Sequence, residues 1–137
     1  MHLVTPEELP RWVPGEVTAA SDALDWRGVM LRGYNYLGQD VRIPPMRDFL
    51  IVSYKHGVTP MQRRCDDGAW TRTRCAPGSI SLLTREQRSH WHWSRNVAVR
   101  HIYLRESLLT RLASEALDRD VAAVHLRDLL DVDDPII

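Results

Sequence analysis

The residue types and spacing that come nearest to chemistry are the histidines of Ser89-His90-Trp91-His92-Trp93 and His101-Ile102-Tyr103-Leu104. Imidazoles two residues apart point to one side of a strand, and a third from a later strand would complete a set of nitrogen ligands for a divalent metal. Such a site ordinarily takes a carboxylate a few residues on. Here His92 is followed by Trp93, Ser94, Arg95 and Asn96, and an arginine opposes a cation. A small metal-dependent enzyme using His90, His92 and His101 is therefore the alternative reading, and no metal or other cofactor is expected. The same alternation sends Trp91 and Trp93 to the opposite face. With Trp70, His101 and Tyr103 they are amphipathic side chains that stack on a small molecule while each offers a hydrogen bond. Filling a small core is the competing use of each.

Other chemistries find less support. There is no Gly-x-Ser-x-Gly elbow, no phosphate loop, and no base context around Cys65 or Cys75. The acids Asp131, Asp133 and Asp134 suit helix capping better than acid–base catalysis. Binding, not catalysis, is the expectation.

The elements that must position these side chains are short. β-prone runs interrupted by turn residues at about 8–12-residue intervals mark an antiparallel sandwich or barrel. Residues 28–37, with Val29, Leu31, Tyr34 and Tyr36, read as a strand, and Gly38-Gln39-Asp40 as a turn. Phe49-Leu50-Ile51-Val52-Ser53-Tyr54 is apolar on both faces and predicts an interior strand. Pro60–Cys65 and Ala69–Cys75 predict a hairpin closed by a type I′ turn at Asp67-Gly68. That register puts Met61, Arg63, Cys65, Trp70, Arg72 and Arg74 on one face, able to floor a pocket, and Cys65 opposite Trp70 instead of Cys75. Arg63 would neighbour Arg72, an unfavourable pair unless a carboxylate, an anion or water intervenes. In the last long strand, Val97–Leu104, His101 and Tyr103 share a side with Val97 and Val99.

Beyond Arg105 the period becomes helical: Leu108, Leu109, Leu112, Ala113, Ala116 and Leu117, with Ser107 as the cap. This stripe either covers the barrel or pairs with a second copy through Leu108, Leu109 and Leu112. Val124 and Leu126 read as a short extended piece. Asp133-Asp134-Pro135 reads as a helix start with two residues after it, so the natural protein is expected to continue. Residues 1–25, with Pro6, Pro10 and Pro14, read as an extended arm with a short helix around Asp22 to Trp26 as one option. The expected organisation is an arm over 1–25, a barrel over 26–104 and a helical extension over 105–137.

At 137 residues one domain can bury its own core, and 18 basic against 18 acidic residues leave no net field toward nucleic acid or membrane. Lys55 is the one lysine. Met1–Pro14 lacks the apolar core of a signal peptide, and no run reaches the roughly 18 apolar residues of a membrane span. A soluble cytoplasmic protein with reduced thiols is expected.

Five blocks in order then resemble a known family: Pro44-Pro45-Met46-Arg47-Asp48-Phe49-Leu50, Gly57-Val58-Thr59-Pro60-Met61-Gln62-Arg63-Arg64, Pro77-Gly78-Ser79-Ile80-Ser81-Leu82-Leu83, Ser89-His90-Trp91-His92-Trp93 and His101-Ile102-Tyr103-Leu104. Over roughly residues 26–137 the chain resembles the N-terminal cupin-like domain of AraC-type (AraC/XylS) bacterial transcription regulators. The resemblance implies a mainly β fold, a cupin-like jelly roll or double-stranded β-barrel with a C-terminal helical segment. It implies a sensor of a small-molecule effector, often a homodimer, that reaches DNA only through a C-terminal helix-turn-helix domain absent from this chain. It also implies pocket contacts from the strands of Trp91 and His101, and from Arg42 before Pro44-Pro45. The metal alternative, in that light, is a small cupin enzyme.

Overall fold

The computed structural model describes residues 2–22, 27–124 and 128–133. Among these residues ten strands form in chain order: β1 (Glu16–Ala20), β2 (Val29–Tyr36), β3 (Gln39–Ile43), β4 (Phe49–His56), β5 (Thr59–Cys65), β6 (Thr71–Cys75), β7 (Ser79–Leu83), β8 (Ser89–Trp93), β9 (Val97–Leu104) and, after helix α1 (Glu106–Leu117), β10 (Leu129–Asp133). They make two antiparallel sheets, one ordered β1-β2-β9-β4-β7-β10 and the other β3-β8-β5-β6. The inner faces enclose one core, the arrangement of a cupin-like jelly roll.

Position in the sheet explains the sequence patterns. β4 is paired on both edges by β9 and β7, and its residues 49–54 are buried or half-buried on both faces, which matches the apolar run Phe49-Leu50-Ile51-Val52. β9 alternates: Val97, Val99, His101 and Tyr103 are buried and point inward, against Leu50, Val52 and Tyr54 of β4. β1 lies at a sheet edge with all five residues exposed, which leaves no apolar period to read. Of the turn expected at Gly38-Gln39-Asp40, only Gly38 bends the chain, and Gln39 and Asp40 already belong to β3.

The arm before β1 is tied down. Val4 bridges Met46, donating its N–H to Pro45 O at 2.9 Å and accepting from Arg47 N at 3.0 Å. A short 3-10 helix, Leu9–Arg11, then buries Leu9, and Val13 follows it into the core. The helix option around Asp22 to Trp26 lies mostly outside the described residues.

Three expectations change. The β5–β6 connection is not a two-residue type I′ turn: Asp66 takes the positive φ of 51°, Gly68 N bonds Cys65 O at 2.9 Å, and pairing resumes at Arg63↔Thr71. The register is thus one residue from the expected one, and that slip turns β6 over. Met61, Arg63 and Cys65 still face inward, but Arg72 and Arg74 face outward, and Arg63 lies opposite Thr71 instead of Arg72. Second, the N-cap position of α1 is Arg105, whose side chain makes no capping hydrogen bond, and Ser107 lies inside the first turn. Third, the chain after Asp118 does not continue as helix. It returns to the larger sheet as β10 beside β7, and Asp133 ends that strand. Residues 134–137, where the helix start was expected, lie outside the described residues. α1 is seated by Gly28, whose φ is 76° and where a Cβ would come within 2.9 Å of Leu108 Cβ. No helix among the described residues is long and apolar enough to cross a membrane.

Candidate functional site

Alternation along β8 settles which of its faces looks inward. Trp91 and Trp93 are buried and turn into the barrel, while His90 and His92 lie on the outside of the four-stranded sheet. Opposite them, β9 contributes His101, and the arm contributes Leu9 and Val13. These residues wall a cavity of about 80 Å³ between the sheets. By the space one water requires, that is room for roughly five to eight water-sized groups.

The wall is mainly apolar, with a few polar groups in defined states. His101 is buried, and desolvation lowers its pKa to about 3, so the ring is neutral. Its Nδ1 shares a 2.9 Å hydrogen bond with the Tyr103 hydroxyl, and its ring lies 5.0 Å from that of Tyr34. Burial also pushes the Tyr36 and Tyr103 hydroxyls well above their ordinary range, which keeps both protonated. Trp91 Nε1 donates to Ser89 Oγ at 3.0 Å. Asp48 is in the wall as well, held side-on by Arg47 (Nε to Oδ1 2.8 Å, Nη2 to Oδ2 3.0 Å) with Arg105 3.6 Å away.

The remaining charge is Arg63. Inward-facing on β5 and cross-strand from Trp91, it is 8% exposed, with its guanidinium carbon 5.0 Å from the indole centroid. Asp128, from the segment leading into β10, accepts from Arg63 Nη1 at 2.9 Å and also from Thr84 N. Cys65 Sγ approaches the same carboxylate at 3.6 Å. Three wall residues retain a buried polar atom with no hydrogen-bond partner among the described residues: Tyr36 Oη, Arg63 Nε and Trp93 Nε1. Three further such atoms, Arg64 Nε, His90 Nδ1 and His92 Nδ1, belong to half-buried residues of the outer face.

The expected site residues therefore divide. Trp91, Trp93 and His101 come together in the cavity wall, and Tyr103 stands behind His101. Arg42 does not reach the cavity: it is exposed on the outer face of β3, paired across from His90. Trp70 is outside too, its ring 4.9 Å from that of His90 and under the Arg64 guanidinium, because β6 and the loop before it turn outward in the observed register. The metal set His90, His92 and His101 is corrected by the same geometry, since the four-stranded sheet separates the first two from the third. A carboxylate does meet the outer pair: Asp40 of β3 accepts from His90 Nε2 at 2.6 Å and lies 3.4 Å from His92 Nδ1, and the His90 hydrogen bond lowers its pKa. Among the described residues no group of three or more His, Cys, Asp or Glu is arranged to hold a metal ion. On α1, Leu108 and Leu109 are half-buried and Leu112 is 47% exposed.

Sequence reasoning did not assign a role to Tyr36 or to the arm residues Leu9 and Val13, and it placed Arg63 on the face able to floor a pocket without counting it among the ligand contacts. The signal for Arg63 was its place between Met61 and Cys65 on the hairpin face expected to floor a pocket. Asp128 carried no local signal, since its partner lies 65 residues earlier.

No family model matches the chain, and no curated protein matches it. Solved structures do. The AraC-like transcriptional activator CuxR matches with a TM-score of 0.50 at 11% identity, over 66% of this chain and 34% of its own. The EutQ protein of Clostridium difficile matches at 0.50 and 5% identity over 66% of each chain. A variant of oxalate decarboxylase from Bacillus subtilis matches at 0.50 and 5% over 74% of this chain and 32% of its own. This chain thus spans about a third of the CuxR and oxalate decarboxylase chains, and the likeness is one of fold. A regulator and an enzyme share it. The described residues form a mainly β, cupin-like jelly roll with the helix α1 after β9.

Proposed function

We propose that this chain is the effector-sensing barrel of an AraC-type transcription regulator, taking a small organic molecule into the cavity walled by Trp91, Trp93 and His101. The observation that carries the reading is the set of cavity residues with unpartnered buried polar atoms, Tyr36, Arg63 and Trp93. A buried polar group left unpaired costs about 1–3 kcal/mol, and a ligand placing its own polar atoms there removes that cost. The order of the five sequence blocks supports the same reading, as does the fold shared with an AraC-like activator. In it, DNA is contacted by a separate helix-turn-helix domain, the barrel works in the cytoplasm without a cofactor, and α1 offers Leu108, Leu109 and Leu112 to a second copy. Leu112 is the most available of the three.

A thermal-shift screen of small organic compounds tests this reading. Binders are expected to raise the melting temperature in proportion to the logarithm of their concentration at saturation. Trp93→Phe keeps an aromatic ring, removes the Nε1 donor, and is expected to weaken polar binders. The reading is overturned if no compound of any class shifts the transition, or if binders are indifferent to cavity substitutions.

A further inference from the structure

The hydrogen bond from Arg63 to Asp128 uses Nη1. The side-on edge of that guanidinium, Nε with Nη2, has no acceptor among the described residues, although the residue is more than nine-tenths buried and lines the cavity. A carboxylate fits that edge with two parallel hydrogen bonds. This chain makes that very pairing elsewhere, where Arg47 takes Asp48 through Nε and Nη2.

The other wall charge does not oppose an anion. The Asp48 carboxylate is already held by Arg47 and faced by Arg105. His101 stays neutral and adds a polar contact. Trp91, stacked beneath the Arg63 guanidinium, supplies an apolar plate for whatever follows the carboxylate.

We propose that the effector is a small organic carboxylate whose two oxygens take the Nε/Nη2 edge of Arg63 while Asp128 holds Nη1 from the other side. This rests on the sensor reading above and narrows it to one ligand class. The cavity volume limits the class to acids of roughly five to eight non-hydrogen atoms, with the hydrocarbon part against Trp91 and the aliphatic wall. Asp128 is then a positioning residue: it fixes the guanidinium so that the open edge faces the ligand.

The probes are butyrate and its neutral isostere butyramide, measured by thermal shift and titration calorimetry on the full chain. Butyrate is expected to bind at least tenfold more tightly than butyramide. Arg63→Gln removes the fork, and because it leaves Asp128 without its cation, the double variant Arg63→Gln/Asp128→Asn is the one that preserves the fold. In that variant the preference for butyrate is expected to vanish. Equal binding of butyrate and butyramide, or a preference that survives in the double variant, overturns the carboxylate assignment. If neutral compounds of this size bind and carboxylates do not, the assignment fails while the sensor reading stands. If neither class binds, both fail.

Discussion

Arg63 and Arg64 are chain neighbours, and each lies over an indole: Arg63 over Trp91 at 5.0 Å inside the barrel, Arg64 over Trp70 at 4.9 Å outside it. The contact is the same, and its consequences differ with access to water. A cation over an aromatic face contributes about 0.5–1 kcal/mol when exposed and about 2 kcal/mol when desolvated. Desolvation also obliges the buried guanidinium to find a counter-charge, and Asp128 supplies it at 2.9 Å. The outer pair is half-buried beside the exposed Arg42, Arg72 and Arg74, and Arg64 has no counter-charge among the described residues. Local pairing along β5 therefore does not tell a structural contact from a recognition contact. The side of the sheet does.

Four measurements break or sharpen that contrast. The largest effect is expected from Trp91→Ala, which empties part of the core and should lower unfolding stability by about 3–5 kcal/mol in urea titrations. A loss under about 1 kcal/mol would show that the inner indole is no more committed than the outer one. Asp128→Ala strips the buried cation of its partner. Because Asp128 is partly accessible, the loss should fall near the lower end of the range for broken buried pairs, about 3 kcal/mol, again read from the urea midpoint.

His101 gives a pH signature from the same interior. Its pKa in the fold, about 3, lies below the ordinary value near 6.5, so the unfolded chain takes the proton first. Its contribution is complete above about pH 6.5 and declines as pH falls toward 3, with a slope approaching about 1.4 kcal/mol per pH unit. The stability difference between the wild type and His101→Gln should accordingly shrink between pH 7 and pH 5. A difference independent of pH would place the imidazole in contact with water. The smallest effect is expected from Trp70→Ala, about 1 kcal/mol or less, with binding of any cavity ligand unchanged.

Much of this architecture is legible in the sequence, and the rest is not, for physical reasons. β4 and β9 announce themselves because one is covered on both faces and the other on alternate residues. The inward turn of Trp91 and Trp93 follows from the period of β8, once its inner face is known. Arg42 and Trp70 were misplaced by different routes. Arg42 came from resemblance to the family, and the fold puts it on the outer side of β3. Trp70 came from the turn: Asp67-Gly68 suits a two-residue hairpin, but with Asp66 in the left-handed region the ladder restarts one residue away, and every β6 side chain changes face. Asp40 shows the limit of reading ligands from adjacent residues, since the carboxylate missing after His92 comes from a neighbouring strand. β1 was invisible as a strand because all five of its residues are exposed and leave no hydrophobic period, and the acids of β10 read as helix caps.

β10 ties two kinds of stability together. It is the last strand of the larger sheet, hydrogen-bonded to β7, and the residue just before it is the carboxylate that neutralises Arg63. Peeling this strand away would at once expose the rim of β7 and leave a buried positive charge without its counter-charge. The two losses reinforce each other, so the segment should detach as a single cooperative unit without fraying from its tip. The Cys65 thiol, beside the same carboxylate and held above its ordinary pKa by burial, is placed to report that event as a burst of accessibility to thiol reagents.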